Sequence, residues 1–379
     1  MKKTRFVYRQ RFFLLVALAT CIFAGLIVAH HICAVSWYQR KFSAVRVTIA
    51  LVMLICASSY FAYVLYLLYR PYYGVTKTPF MRADLSSLTG NRLSHYYVHA
   101  DGRYGHAIEQ GLFSTPPFDS DGILLVDYGG ETGKQHNPVI LCLYALENWE
   151  LLLQGDDQKR RAVFFEQADW LVEQQEEGKW YYHFTWKEKK VEAPWISGMA
   201  QGLGISVLLR AWQLAEAPKY LNAAEQAFKI LEIPIDRGGV ACRVGKGTWF
   251  EEFPNPSAPS HVMNGHIWTL FGIWDMWRVT GNPDALRLFN EGLVAQKADI
   301  SKYDAGFWIL YDQESKIPLN SHYFDFQIHQ LTVLHALSGD PIFATYAAKW
   351  EAYRRNIANF CGVLRLVVRR KMHRLLDGC

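Results

Sequence analysis

Apolar residues follow two different patterns along the chain, and the change of pattern divides it. Residues 12–35 and 47–69 are runs of 24 and 23 positions without Lys, Arg, Asp or Glu. Each matches the ~20 apolar residues that cross a bilayer core. The first run is longer than a usual signal-peptide core, and the second follows at once. Together they predict a two-helix membrane hairpin with its turn around Arg40, Lys41 and Arg46. From residue 138 the pattern becomes periodic. Leu221/Ala224/Phe228/Leu231, Leu286/Phe289/Leu293 and Phe343/Tyr346/Trp350 recur at three- and four-residue spacing and predict amphipathic helices. Between them lie more evenly apolar stretches, at 205–214 and 267–277, which predict helices buried on most sides.

Four polar turns separate these helices: Gln154-Gly155-Asp156-Asp157, Ala215-Glu216-Ala217-Pro218, Thr280-Gly281-Asn282-Pro283 and Ser338-Gly339-Asp340-Pro341. Proline at a first helical position is a start signal. The turns recur about every 60 residues, whereas a tetratricopeptide-like solenoid repeats at about 34. The expected fold is mainly α, an incomplete α/α toroid of about four helix pairs. A small irregular segment with short β pieces precedes it, rich in Pro, Gly and Asp. Four parts are expected: a membrane anchor at 1–70, a linker with short β segments at 71–137, the toroid at 138–353 and a basic tail at 354–379.

Charge sharpens this division. The net +5 conceals +9 in residues 1–70 and +6 in 354–379, which leaves about −10 for 71–353. Basic ends on an acidic middle exclude nucleic acid as the meaning of the high pI. The tail interleaves Arg365, Arg369 and Arg370 with Val363, Leu366, Val367 and Val368, as a basic amphipathic helix on anionic lipid would. Five positive charges precede the first run, so positive-inside reasoning places the main domain on the cytoplasmic side. The 51% apolar and 15% aromatic content excludes a disordered or fibrous chain. The seven cysteines form no CxxC and call for neither a disulfide framework nor a metal site. No GxGxxG or P-loop occurs, so no cofactor is expected.

The unusual residues gather in three rim loops, where aromatic rings, carboxylates and amides suit a carbohydrate groove. They read Trp195-Ile196-Ser197-Gly198-Met199-Ala200-Gln201-Gly202, then Trp249-Phe250-Glu251-Glu252-Phe253-Pro254 with Asn264-Gly265, then Tyr303-Asp304, Tyr311-Asp312 and Tyr323. These motifs, in this order, resemble the C-terminal domain of the D-glucuronyl C5-epimerases. The resemblance covers about 160 residues and implies inversion at C5 of glucuronate in a heparosan-like polymer. It further implies Tyr311, Tyr323 and Glu252 as catalytic residues and Asn264 as a substrate-binding one. Trp195, Gln201, Trp249, Arg237 and Arg243 are further candidates for substrate binding. Two positions depart from the family: Phe253 stands where vertebrate enzymes have a tyrosine, and Glu314 where they have an arginine. His261, His266, Arg237, Arg243 and Lys246 lie in the same loops as replacement bases or clamps.

Abstraction of a proton α to a carboxylate leaves an enolate-like dianion. It needs one acid/base group on each ring face and a donor at the carboxylate. The expected activity is therefore a membrane-anchored uronate C5-epimerase. A silent polysaccharide-binding or assembly protein on the same toroid, and a uronate lyase, stay open. A hydrolase is disfavoured, because adjacent Glu251 and Glu252 point to different sides of an extended segment. Expected partners are a glucuronate-containing polysaccharide, the lipid membrane and a second copy of the chain as a homodimer.

Overall fold

The computed structural model describes residues 40–73, 81–100, 118–155 and 158–376. The chain divides into two compact units: Thr78–Tyr353, and the two ends, Met1–Lys77 with Arg354–Cys379. The expected first membrane span, 12–35, lies outside the described residues. Among the described residues there are ten helices and three two-stranded antiparallel sheets.

In the unit formed by the ends, helix α1 (Arg40–Tyr73) has one apolar stretch, Leu51–Tyr73, long enough to cross a membrane. Its Val52, Met53, Ile55, Tyr60 and Phe61 are exposed in the isolated chain, as residues facing lipid would be. Arg40, Lys41 and Arg46 lie on this helix and not in a turn, which corrects the expected hairpin boundary. The basic tail also forms a helix (Asn359–Leu376). Its Phe360 is buried edge-on against Tyr69 and Tyr73, at 5.4 and 6.0 Å between ring centroids.

The larger unit carries three packed helix pairs, α2 (Pro138–Gln154) with α3 (Gln158–Glu173), α4 (Gly198–Ala215) with α5 (Pro218–Ile230) and α6 (Met263–Thr280) with α7 (Pro283–Asp299), followed by α8 (Ser321–Ser338) and α9 (Pro341–Arg355). The boundaries fall where the turn residues place them. Asn137 and Asn282 cap the backbone N–H groups of Ile140 and Asp284 ahead of Pro138 and Pro283. Gly281 and Gly339 end α6 and α8 in the left-handed conformation.

Helices α4 and α6 form the centre, and α2 packs on α4. Gly202 and Gly272 let α4 and α6 touch backbone to backbone. A β-carbon at Gly272 would sit 2.1 Å from the Gly202 carbonyl oxygen, and one at Gly202 would sit 2.4 Å from the Thr269 α-carbon. The same two helices share a fully buried ion pair, Arg210 Nη1 to Asp275 Oδ2 at 2.7 Å. Tyr97 donates its hydroxyl to the other Asp275 oxygen.

The described residues 81–100 and 118–137 fall within this unit. Strands β1 (Met81–Ala83) and β2 (Val98–Ala100) pair, and the irregular chain between them crosses the helices. Every backbone carbonyl from residue 87 to 92 accepts from a helix side chain: Arg278 takes those of Ser87, Thr89, Gly90 and Arg92, Trp274 that of Leu88, and Gln213 that of Asn91. Local sequence reads this stretch as loose because its own side chains are polar. Its order comes from helix residues more than a hundred positions away.

Candidate active site

Strands β3 (Ala241–Val244) and β4 (Gly247–Phe250) form a hairpin that delivers Glu251, Glu252 and Phe253. Glu251 is fully buried; it accepts the His261 backbone N–H, and its Oε1 lies 2.8 Å from His261 Nδ1. The Cys242 thiol completes a group whose donor atoms lie within 4.8 Å of one another. Sequence spacing hides this trio. Burial, then Glu251 and Asp299, push the Cys242 thiol up to about 11, so it stays protonated at neutral pH. The carboxylate–imidazole contact fixes the loop that leads into α6.

Glu252 meets different neighbours. Its Oε2 is buried without a hydrogen-bond partner among the described residues. A β-carbon at Gly265 would fall 2.5 Å from that oxygen and 2.7 Å from the Glu252 β-carbon, so the glycine at the start of α6 makes room for it. Next to it the Asn264 amide nitrogen is buried and likewise unpartnered. Unsatisfied buried polar atoms are rare and point to a ligand that completes them. Burial pushes the Glu252 carboxyl up to about 7; Lys189 pulls it down, and Glu251 and Asp312 push it up. Glu252 can therefore exchange a proton near neutral pH.

This shift has a measurable sign. The folded value lies above the unfolded one of about 4.5, so the stabilisation is complete below pH 4.5 and lost as pH rises through 7. Glu252→Gln keeps a neutral group at every pH. At pH 8 the variant is expected to melt about 2–4 °C above the parent; at pH 5 the two should melt together. Thermal unfolding at both pH values checks this, and an equal shift at both would refute the assignment.

Tyr311 and Tyr323 reach the same place from separate elements. Tyr311 sits on a β-like return, its N–H donating to the Ile317 carbonyl at 2.7 Å. The turn beyond is closed by Asp312, which accepts from the Ser315 and Lys316 N–H groups. Tyr323 lies in the first turn of α8, where the Asn320 side chain accepts its N–H at 3.0 Å. The two rings meet edge to face, 5.9 Å between centroids and 80° between planes. No pyranose fits between rings in such contact. Burial, followed by the charge of Glu252, pushes the Tyr311 phenol well above its ordinary value of 10. It stays protonated at neutral pH and is a proton donor there.

One residue of this cluster has no local signal in the sequence. Lys189 ends a one-turn 3₁₀ segment, Lys187–Lys189, closed by the Trp186–Val191 bridge. Its ammonium lies 4.4 Å from the Tyr311 ring centre and 4.6 Å from that of Phe253. Neighbouring Lys190 pairs with Glu314, so the acidic residue of the tyrosine loop is neutralised across the cleft. Phe253 is buried among Tyr182, Phe184 and Trp195 and serves as a platform for the lysine.

The other sequence candidates occupy structural positions. Trp195 stacks on Tyr182 at 4.0 Å and donates its indole N–H to the Phe184 carbonyl. It also lines an open cavity of about 490 Å³ shared with Lys179, Tyr181, Lys190 and Asn255. Gln201 is fully buried and donates to the Gly178 carbonyl at 2.7 Å. Trp249 is fully buried and stacks on His266 at 4.1 Å. His266 accepts the Phe250 N–H at Nδ1 and contacts the Gly292 carbonyl through Nε2. Burial holds its imidazole down at about 3, so it is a neutral packing group and no base. Arg243 is exposed and bonds Thr248 and Glu291, while Arg237 is exposed on a short 3₁₀ turn.

Comparison with known proteins accords with this geometry. The family model described as D-glucuronyl C5-epimerase C-terminus matches residues 174–352. An uncharacterized protein of Methanocaldococcus jannaschii is 32% identical over 176 residues, 45% of this chain and 56% of that protein. The D-glucuronyl C5-epimerase of Caenorhabditis elegans is 29% identical over 215 residues, 50% of this chain and 35% of that enzyme. The matches thus span about half the length of one relative and a third of the other. Every residue of the tyrosine–glutamate–lysine cluster lies inside the matched segment, and residues 174–352 are similar to the C-terminal part of the D-glucuronyl C5-epimerases.

Proposed function

We propose that the chain is a membrane-anchored uronate C5-epimerase, converting D-glucuronate to L-iduronate within a heparosan-like polymer. The observation that carries this reading is the edge contact of Tyr311 and Tyr323 beside the unpartnered carboxyl of Glu252. In the proposed reaction Tyr323, as its phenolate, takes the C5 proton, the C–H electron pair passes into the adjacent carboxylate as an enolate, and protonated Tyr311 is the acid on the other face. A proton then returns to C5 from the other face. Tyr311 and Tyr323 are the two proton-transfer groups. Glu252, poised near neutrality, trades a proton with them, and Asn264 bonds the sugar. The match of residues 174–352 to the epimerase family model supports the reaction class.

The helices α2 to α9 form, in this reading, an incomplete α/α toroid whose rim carries the site. Helix α1 supplies a membrane span, with the domain on the cytoplasmic face. The basic tail helix lies against anionic lipid. Deuterium incorporation at C5 of a glucuronate polymer, from heavy water, tests the reaction without presuming its product. Absence of exchange with heparosan and its desulfated relatives would overturn it and favour a polysaccharide-binding protein.

A further inference from the structure

Lys189 interacts electrostatically with Glu252 but forms no ion pair among the described residues. Among the described residues no carboxylate lies within ion-pair range of the Lys189 ammonium, although Lys190 beside it is paired with Glu314. An ammonium in a half-buried aromatic pocket needs an anion or water to complete its donor set. Two ring faces, those of Phe253 and Tyr311, take up one side of it at 4.6 and 4.4 Å. Cation–π contact steers the lysine without consuming its N–H donors in strong hydrogen bonds. The turn that presents it is rigid: Trp186 and Val191 exchange backbone bonds at 2.9 and 3.3 Å, and the Asn255 amide donates to the Lys190 carbonyl at 2.9 Å. The ammonium is therefore held over the ring of Tyr311, near enough to Glu252 to act on its charge.

We propose that Lys189 is the residue that binds the carboxylate of the sugar unit held at Tyr311, and that it selects acidic over neutral hexose units. The inference rests on the epimerase reading for its substrate class, but it concerns binding and not proton transfer. A compact ammonium is suited to the role. It meets a carboxylate in the ground state and holds the same oxygens when charge builds on them as C5 loses its proton. Glu252 has shed part of its charge at neutral pH and does not compete fully for the lysine. Glu314 is held off by Lys190.

The test uses the full chain in detergent, with heparosan and its carboxyl-reduced form, in which each glucuronate has become glucose. Lys189→Met keeps the apolar stem on Phe253 and Tyr311 and removes the charge; Lys189→Arg restores it. The parent is expected to prefer the acidic polymer. Lys189→Met should weaken binding of heparosan about ten- to a hundredfold, the worth of a charged hydrogen bond. Its binding of the reduced polymer should change less than about twofold, and Lys189→Arg should recover part of the preference. Melting temperatures of both variants within about 2 °C of the parent exclude misfolding as the cause. Retention of the parent's preference by Lys189→Met overturns the proposal. So does a parent that shows no preference, whether or not it exchanges C5 hydrogen. Preference without exchange sustains the lysine assignment and sinks the epimerase reading; exchange without preference does the reverse.

Discussion

Replacing Tyr311 or Tyr323 by phenylalanine is expected to lower C5 hydrogen exchange by about 10²–10⁴-fold, the usual contribution of a general acid or base. Each change removes a hydroxyl and leaves the ring. The Tyr311 ring packs against a cluster that includes Trp195 and Phe253 and makes edge contact with Tyr323, so both single variants should fold as the parent does. The double variant is expected to lose little more than either single one, because groups that act on the same proton path are not additive. Exchange measured by mass at C5, with melting temperature as a control, decides the matter. If both single variants exchange at the parent's rate, the tyrosines only pack, and Glu252 becomes the candidate base.

The second large effect lies far from the chemistry. Gly272→Ala is expected to destabilise the protein by about 3 kcal/mol or more, lowering the melting temperature by about 10 °C or preventing folding. The added methyl would meet the Gly202 carbonyl at 2.1 Å, and backbone cannot move aside as a side-chain tip can. Separating α4 from α6 would also stretch the Arg210–Asp275 pair, which is fully buried. Loss of one partner of such a pair costs about 3–5 kcal/mol. Thermal unfolding of the variant reads this directly; a shift under about 2 °C would mean that the helices have another way to pack.

Helix boundaries were legible because proline and asparagine act locally. The starts at Pro138, Pro218, Pro283 and Pro341 and the caps at Asn137 and Asn282 carry their meaning within a few residues. Tyr311, Tyr323 and Glu252 were legible through the order of their motifs. The roles of Trp249 and Gln201 were not. An aromatic ring or an amide in a loop suits a sugar and a core equally well, and only burial distinguishes them. Lys189 was hidden for another reason. In Lys187-Glu188-Lys189-Lys190 it looks like one more solvated charge, and its partner ring at Tyr311 lies more than a hundred residues away. The trio of Cys242, Glu251 and His261 escaped because hairpin pairing, and not sequence spacing, brings it together.

The carbonyls of residues 87–92, taken one after another by Arg278, Trp274 and Gln213, have a consequence for how the protein meets proteases. Exposed polar loops are ordinarily the first places to be nicked, because their backbone can be drawn into a protease cleft. Here Thr89, Gly90, Asn91 and Arg92 are exposed, yet their backbone oxygens are already claimed. Trypsin would find Arg92 on the surface and still have to break bonds to three helix residues before it could bind the chain in extended form. The stretch should resist digestion as a helix does, and become cleavable in step with global unfolding and not before.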